Sequence, residues 1–329
     1  MALNAIGRRN FLCRKYLVIF NRFSTLNKDV VPQKKRMEDF FFDHKVQSIL
    51  KKITGVNYEK IFKPRKQKLT PYTYEFATEN RLKELQQNAA SKAAEKLQMP
   101  PVLSIHEENK EILAKDPELQ GVLSHKIIFT DISTNVSSRD RMITVREIDG
   151  TLRKATREER FRMNQIYYPL EGRSLEVPKL FSSPHIDRLM EEGNYIFLLD
   201  IACVQFEPDD PEYHQITSVI YEHINQMKKF DVLRSTRHFG PMAFHFAYHK
   251  NIDRLIVDML ERHLISDAAD AIKLLSILNP EISLAQDGGN VEIVQNFIKT
   301  IAIQKSDLEL ALQSFLEADA KLSQDQVSL

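Results

Sequence analysis

Two histidines four residues apart, in His245-Phe246-Ala247-Tyr248-His249, are the closest this chain comes to a metal-binding pattern. On a helix that spacing puts both imidazoles on one face. A zinc hydrolase of this type carries Glu directly after the first His, where this chain has Phe246, and no third ligand is evident. The acidic run Glu207-Pro208-Asp209-Asp210 lacks the alternating oxygen ligands and turn glycine of a calcium loop, and is expected to cap the helix after it. Cys203 sits in the apolar run from Tyr195 to Phe206 and reads as a small buried hydrophobe, with no His or Asn pattern to mark a nucleophile. Phosphate-cradling motifs such as Gly-x-Gly-x-x-Gly or a loop ending in Gly-Lys-Ser/Thr are absent from the sequence. Nine glycines in 329 residues are few for an enzyme that brings backbone close to a cofactor. These residues predict no catalytic centre, no metal, no cofactor and no small-molecule substrate, so the chain reads as a non-enzyme.

Basic side chains carry more information. Lys63, Arg65, Lys66 and Lys68 form an arm beside Phe62 and Tyr72. A second cluster holds Arg139, Arg141, Arg146, Arg153, Lys154, Arg157, Arg160 and Arg162, against five acids in the same stretch, and a third holds Arg234 and Arg237. Lys and Arg clamp phosphates without reading sequence, so the expected RNA contacts are Lys63, Arg65, Lys66, Lys68, Arg139, Arg141, Arg153, Lys154, Arg157, Arg234 and Arg237. Ion pairing within the chain accounts for each cluster equally well. The formal charge of +1 hides a polarity: seven Lys or Arg against one acid from Lys51 to Lys68, but seven bases against thirteen acids from Lys250 to the end. Such asymmetry suits different partners at the two ends.

The elements that must position these groups follow from periodicity and punctuation. Before Asp29 there are six Lys or Arg and no acid, the make-up of a mitochondrial transit peptide. The apolar run Tyr16 to Phe20 is too short for a secretory signal or a membrane anchor. Phe42, Val46, Ile49, Leu50 and Ile53 predict a helix over 37–54 that stops at Gly55. Leu82, Leu85, Ala89, Ala93 and Leu97 predict another over 79–98, ended by Pro100-Pro101. Residues 102–121 read as a linker with a short helical piece. Strands are expected within 124–133, 141–148 and 151–155, with Asp149-Gly150 as a hairpin turn. Thr156-Arg157-Glu158-Glu159 fits a capping box that opens a helix to about Tyr168. Ser183-Pro184 is expected to cap a short helix that stops at Gly193, and further helices are expected at 195–206, 212–227, 234–249, 251–264, 266–279, 291–302 and 306–321, joined by short turns. The fold class is α+β, mostly α, with a small β-hairpin or sheet region in the middle and a helical-hairpin-like C-terminal half. The expected organisation is a transit peptide at 1–30, a helical N-terminal region with the basic arm at 31–121, a small β/α region at 122–180 and an α-helical domain at 181–329.

Several stretches share a family resemblance. Phe129-Thr130-Asp131-Ile132-Ser133, Val145-Arg146-Glu147, Gly150 to Ala155, Glu158-Glu159-Arg160 and Glu171-Gly172-Arg173 resemble the family of animal mitochondrial small-subunit ribosomal proteins numbered twenty-two. Met99 to Leu103, Gln205 to Asp209, and Leu233 to Arg237 with Phe239-Gly240 extend the likeness over roughly residues 40–280, in one consistent order. The resemblance implies a matrix ribosome constituent without a bacterial counterpart, in the lower body of the small subunit. Its partners would be other small-subunit ribosomal proteins and ribosomal RNA, with no membrane association. A helical-repeat RNA-processing or translation factor is the alternative, but it requires a repeat of about 35 residues that is not evident here. Charge reversal at Lys63, Arg65, Lys66 and Lys68 is expected to weaken assembly or RNA association; unchanged incorporation of that variant into the small subunit, read by sedimentation, would refute a role for the arm.

Overall fold

The computed structural model describes residues 36–63, 74, 76–105, 111–122, 124–282 and 288–327. The transit segment, and Arg65, Lys66 and Lys68 of the arm, lie outside the described residues. Among those described are thirteen α-helices and one four-stranded sheet, the mostly α member of the α+β class that the sequence predicts. Contacts divide the chain into two units. One combines the residues up to Pro101 with Leu233–Leu329, and the other is Val102–Val232.

The first unit begins with α1 (Met37–Phe41) and α2 (His44–Thr54). One helix over 37–54 was expected; two form because Asp43 turns its carboxylate onto the Lys45 and Val46 N–H groups and starts a new helix there. Val46, Leu50 and Ile53 recur at helical spacing and are fully buried. Each such side chain removed from water contributes roughly 1.5–3 kcal/mol. They pack against α9 (Phe239–Tyr248) and α11 (Ile265–Leu278), some two hundred residues further along. Phe41 meets Phe244 edge-on with ring centroids 5.2 Å apart. Between them in the chain are α3 (Tyr58–Phe62) and α4 (Glu79–Lys96), and around the core lie α10 (Asp253–Glu261), α12 (Asn290–Thr300) and α13 (Lys305–Val327). Asp253 accepts hydrogen bonds from the N–H groups of Ile303 and Gln304 at 2.7 and 2.9 Å, fixing the approach to α13.

Helix α9 starts five residues later than the expected 234. Ser235 adopts a left-handed conformation, donates its N–H to Thr54 O at 2.9 Å, and accepts from Asn57 N–H at 3.2 Å. Lys250 and His263, also left-handed, follow α9 and α10 closely, where a glycine would have announced the stop. The apolar stripe predicted on α4 is only partly used. Ala93 is buried, whereas Leu82 and Leu85 face solvent.

The second unit holds β1 (Ile112–Lys115), β2 (Ile127–Thr130), β3 (Ile143–Arg146), β4 (Thr151–Lys154) and α5 (Arg157–Tyr167). All neighbours are antiparallel in the order β1-β4-β3-β2, so β1 comes from the stretch read as a linker. Its four residues, Ile-Leu-Ala-Lys, carry no period-2 signal of their own; pairing with β4 makes the strand. Ile143 and Val145 face Ala155, Ile128 and Met163 in a small core beneath α5. The Thr156 capping box forms as expected, with Glu159 closing it. Helices α6 (His185–Glu191), α7 (Tyr195–Gln205) and α8 (Pro211–Met227) complete the unit. Asp210 occupies the N-cap position of α8 but does not cap it; its carboxylate turns back to accept the Glu207 N–H at 2.8 Å. Cys203 is half-buried, 3.6 Å from the Tyr213 hydroxyl.

Gly150 has φ +82°, and a Cβ there would stand 2.1 Å from the backbone oxygen of Asp116. Gly193, at φ +78°, has nothing within 4 Å. Gly193→Ala is expected to cost only the left-handed penalty of about 1–2 kcal/mol. Gly150→Ala adds an overpacking cost of about 1–3 kcal/mol and separates β1 from the hairpin. Thermal melting of the two variants side by side checks this; equal losses would contradict the contact.

Candidate nucleic-acid interface

The sheet unit takes most of its arginines into its own structure. Arg153, on β4, donates to Glu147 through Nε at 3.0 Å and to Glu159 through both terminal nitrogens at 2.9 and 3.1 Å. Lys126 also reaches Glu159, at 2.7 Å. Donation by Arg153, reinforced by Lys126 and the Thr156 N–H, holds the Glu159 carboxyl well below the usual carboxylate range. One guanidinium thus ties the hairpin to the first turn of α5. Arg146 pairs with Asp116 and donates to Gly150 O at 3.1 Å.

Arg141 is only 2 % exposed. It donates to the carbonyls of Asp131, Ser133 and Val136 at 2.5, 3.0 and 2.9 Å, and its guanidinium lies 3.8 Å from the centroid of the Tyr168 ring. Arg160 binds the same loop from α5, through the carbonyls of Ser138, Arg139 and Arg141 at 3.3, 2.7 and 3.0 Å. The loop between β2 and β3 is therefore set by backbone acceptors that converge on two cations. Beside it opens a cavity of about 330 Å³ between the loop, α5 and the 207–210 turn. Three ion pairs line it: Arg139 with Asp209 at 3.4 Å, Arg157 with Asp210 at 3.5 Å, and Arg173 with Glu207 at 2.7 Å.

In the helical unit, Arg234 is nearly buried between Asp258 at 3.4 Å and Asp267 at 3.5 Å, over the face of Phe239. Burial raises the Asp267 pKa, and Arg234 opposes that rise. Arg237 is half-buried and donates from Nε to the His238 ring at 3.3 Å. Lys63 stands exposed at the end of α3. Rings of His245 and His249 lie 4.5 Å apart, and no group of three metal-capable side chains occurs among the described residues.

The eight described residues among the eleven sequence-predicted contacts differ in their surroundings. Arg141, Arg153 and Arg234 are inside, held by internal acceptors. Arg139, Lys154 and Arg157 are paired with carboxylates but retain exposure; Lys154 lies 2.6 Å from Glu111. Lys63 faces water, Arg237 is intermediate, and the three remaining arm residues lie outside the described set. Tyr58 was overlooked: its ring is parallel to that of Phe62 within 4°, centroids 6.3 Å apart, with the Lys96 ammonium 4.6 Å from the Phe62 ring centroid. Two aromatics spaced i, i+4 within the basic stretch were the available signal.

Fold and site together define a mostly helical protein with a small sheet braced by its own arginines and an aromatic element with neighbouring lysines left on the surface. The family described as Mitochondrial 28S ribosomal protein S22 matches residues 39–280, and this chain belongs to that family. It is 41 % identical over 283 residues to a Bos taurus protein called Small ribosomal subunit protein mS22, covering 84 % of this chain and 79 % of the relative. A Mus musculus protein of the same description is 40 % identical over 282 residues, with the same shares covered. The resemblance read from the short motifs over roughly 40–280 is thereby borne out.

Burial pushes the Asp210 carboxyl up to about 6, from 3.8 in an unburied carboxyl, with the Glu207 N–H and Arg157 opposing and Asp209 adding to the rise. The folded state then holds this proton more tightly than the unfolded chain, so stability declines as pH rises from about 4 through about 6. Asp210→Asn removes that dependence. The melting temperature of the variant relative to the parent should rise across that window, as followed by circular dichroism; a difference constant with pH would contradict it.

Proposed function

We propose that this chain is a structural component of the small subunit of the mitochondrial ribosome, built in permanently in the matrix among ribosomal proteins and ribosomal RNA, and catalysing no reaction. Family membership over residues 39–280 is the observation that carries this reading. The relatives' names place them in the small ribosomal subunit, and their similarity runs through both units of this chain. The acid-free, basic N-terminus supports import. No helix among the described residues is long and apolar enough to cross a membrane. A transcript-bound processing factor is not favoured by this membership.

Within this role the basic residues divide by their surroundings. Lys63, with Arg65, Lys66 and Lys68 of the same arm, and the half-exposed Arg139, Lys154, Arg157 and Arg237 are proposed to face RNA. Arg141, Arg153 and Arg234 hold the fold: a phosphate could recruit them only by displacing carbonyls or carboxylates already in place. The acidic tail and the solvent-facing leucines of α4 offer surfaces for protein neighbours. Tagged protein expressed in cells should sediment with the small subunit of a mitochondrial lysate, through washes at raised salt. Exclusive recovery at the top of the gradient would end this reading.

A further inference from the structure

Lysine is depleted at the buried centre of protein–protein interfaces, whereas sites for single-stranded nucleic acid pair lysines with exposed aromatic faces. The surface around α3 has the second composition. Tyr58 is 48 % exposed and Phe62 37 %, far above the fully buried phenylalanines of the core. Their rings are parallel, one helical turn apart. Lys96 reaches across from the end of α4, bonding to Ile61 O at 3.1 Å and standing over the Phe62 ring, so its positive charge covers a face of that ring and leaves Tyr58 as the open member of the pair. Lys63 follows directly and is exposed. In the sequence, α3 lies within a stretch from Lys51 to Lys68 that carries seven Lys or Arg against one acid, the charge of a polyanion's partner. Tyr74 and Phe76, leading into α4, are almost fully exposed and continue the aromatic series.

We propose that Tyr58, backed by Phe62 and with Lys63 and Lys96 beside it, forms a stacking platform for unpaired RNA nucleotides. The assignment rests on the ribosomal reading for its partner but narrows it to one kind of RNA. In an A-form duplex the base faces are covered by their neighbours, and the major groove is too deep and narrow for side chains to read. A flat ring at a protein surface therefore gains little from a helix. A loop, bulge or single-stranded junction offers splayed bases, which stack on the exposed Tyr58 ring while Lys63 and Lys96 meet the flanking phosphates. Stacking of this kind tolerates any base, since each has a π-face.

The purified full-length chain, titrated by fluorescence anisotropy with labelled oligouridine and with an RNA duplex of equal nucleotide count, tests the platform. The single strand is expected to bind more tightly. Tyr58→Leu combined with Phe62→Leu keeps apolar bulk on α3 and should lower oligouridine affinity at least about tenfold, leaving duplex affinity within about twofold. Lys63→Gln should weaken both and reduce the salt dependence of binding by about one unit of slope. Equal affinity of the parent for both RNAs, or equal losses for both in the double leucine variant, would overturn the proposal. Photocrosslinking of the unaltered chain to 4-thiouridine RNA gives a second readout that needs no variant. Crosslinks at Tyr58 or Phe62 support the platform, and crosslinks confined to other parts of the chain reject it. Sedimentation of the unaltered chain decides the ribosomal reading separately: a chain that travels with the subunit yet shows no single-strand preference keeps that role and loses the platform.

Discussion

A guanidinium taken out of water must be surrounded by acceptors, because the desolvated charge costs several kcal/mol unless hydrogen bonds replace its hydration. The sheet unit is organised around that constraint. Four short strands and one helix bury only a small apolar cluster, built on Ile143, Val145 and Ala155. Position is fixed instead by Arg153 between Glu147 and Glu159, by Arg146 between Asp116 and the hairpin turn, and by Arg141 and Arg160 gripping the β2–β3 loop. Each cation joins segments that are separate in the chain, so the polar bonds supply specificity where the apolar core is too small to do so.

The helical unit meets the same need for uniqueness with packing. Helix α2 lies against α9 and α11, and its three fully buried side chains belong to a core drawn from both ends of the chain. Charge appears there too, on paired aspartates of which Asp258 and Asp270 are buried: Lys52 reaches Asp270 at 2.5 Å, and Arg234 spans Asp258 and Asp267. The ordering of α2 depends on helices encoded about two hundred residues later. That long closure joins the N-terminal helices to the C-terminal ones within this unit.

Between these two ways of spending charge lies the functional contrast. A cation enclosed by carboxylates has no residual field to offer a phosphate, while one on an exposed helix end keeps most of it. Surface position, not residue type, separates Lys63 and the aromatic pair on α3 from the arginines of the hairpin. Exposed rings and leucines such as Leu82 and Leu85 are surface of the kind that interaction sites carry.

Local signals were legible from the residues alone. The Thr156 capping box, the Asp149-Gly150 turn and the helices from Tyr195 onward are encoded within a few residues, because caps, turns and apolar periodicity are short-range physics. The ordered motifs carrying the family resemblance were equally visible. Where pairing or burial is non-local, the chain was silent. Strand β1 exists because β4 lies beside it; α9 is shortened because Ser235 bonds to Thr54; and the stripe on α4 stays exposed among the described residues along its first half. Basic clusters show the limit most plainly. A run of arginines reads identically whether it faces a phosphate or a glutamate, and only tertiary structure decides which acceptor reaches it first.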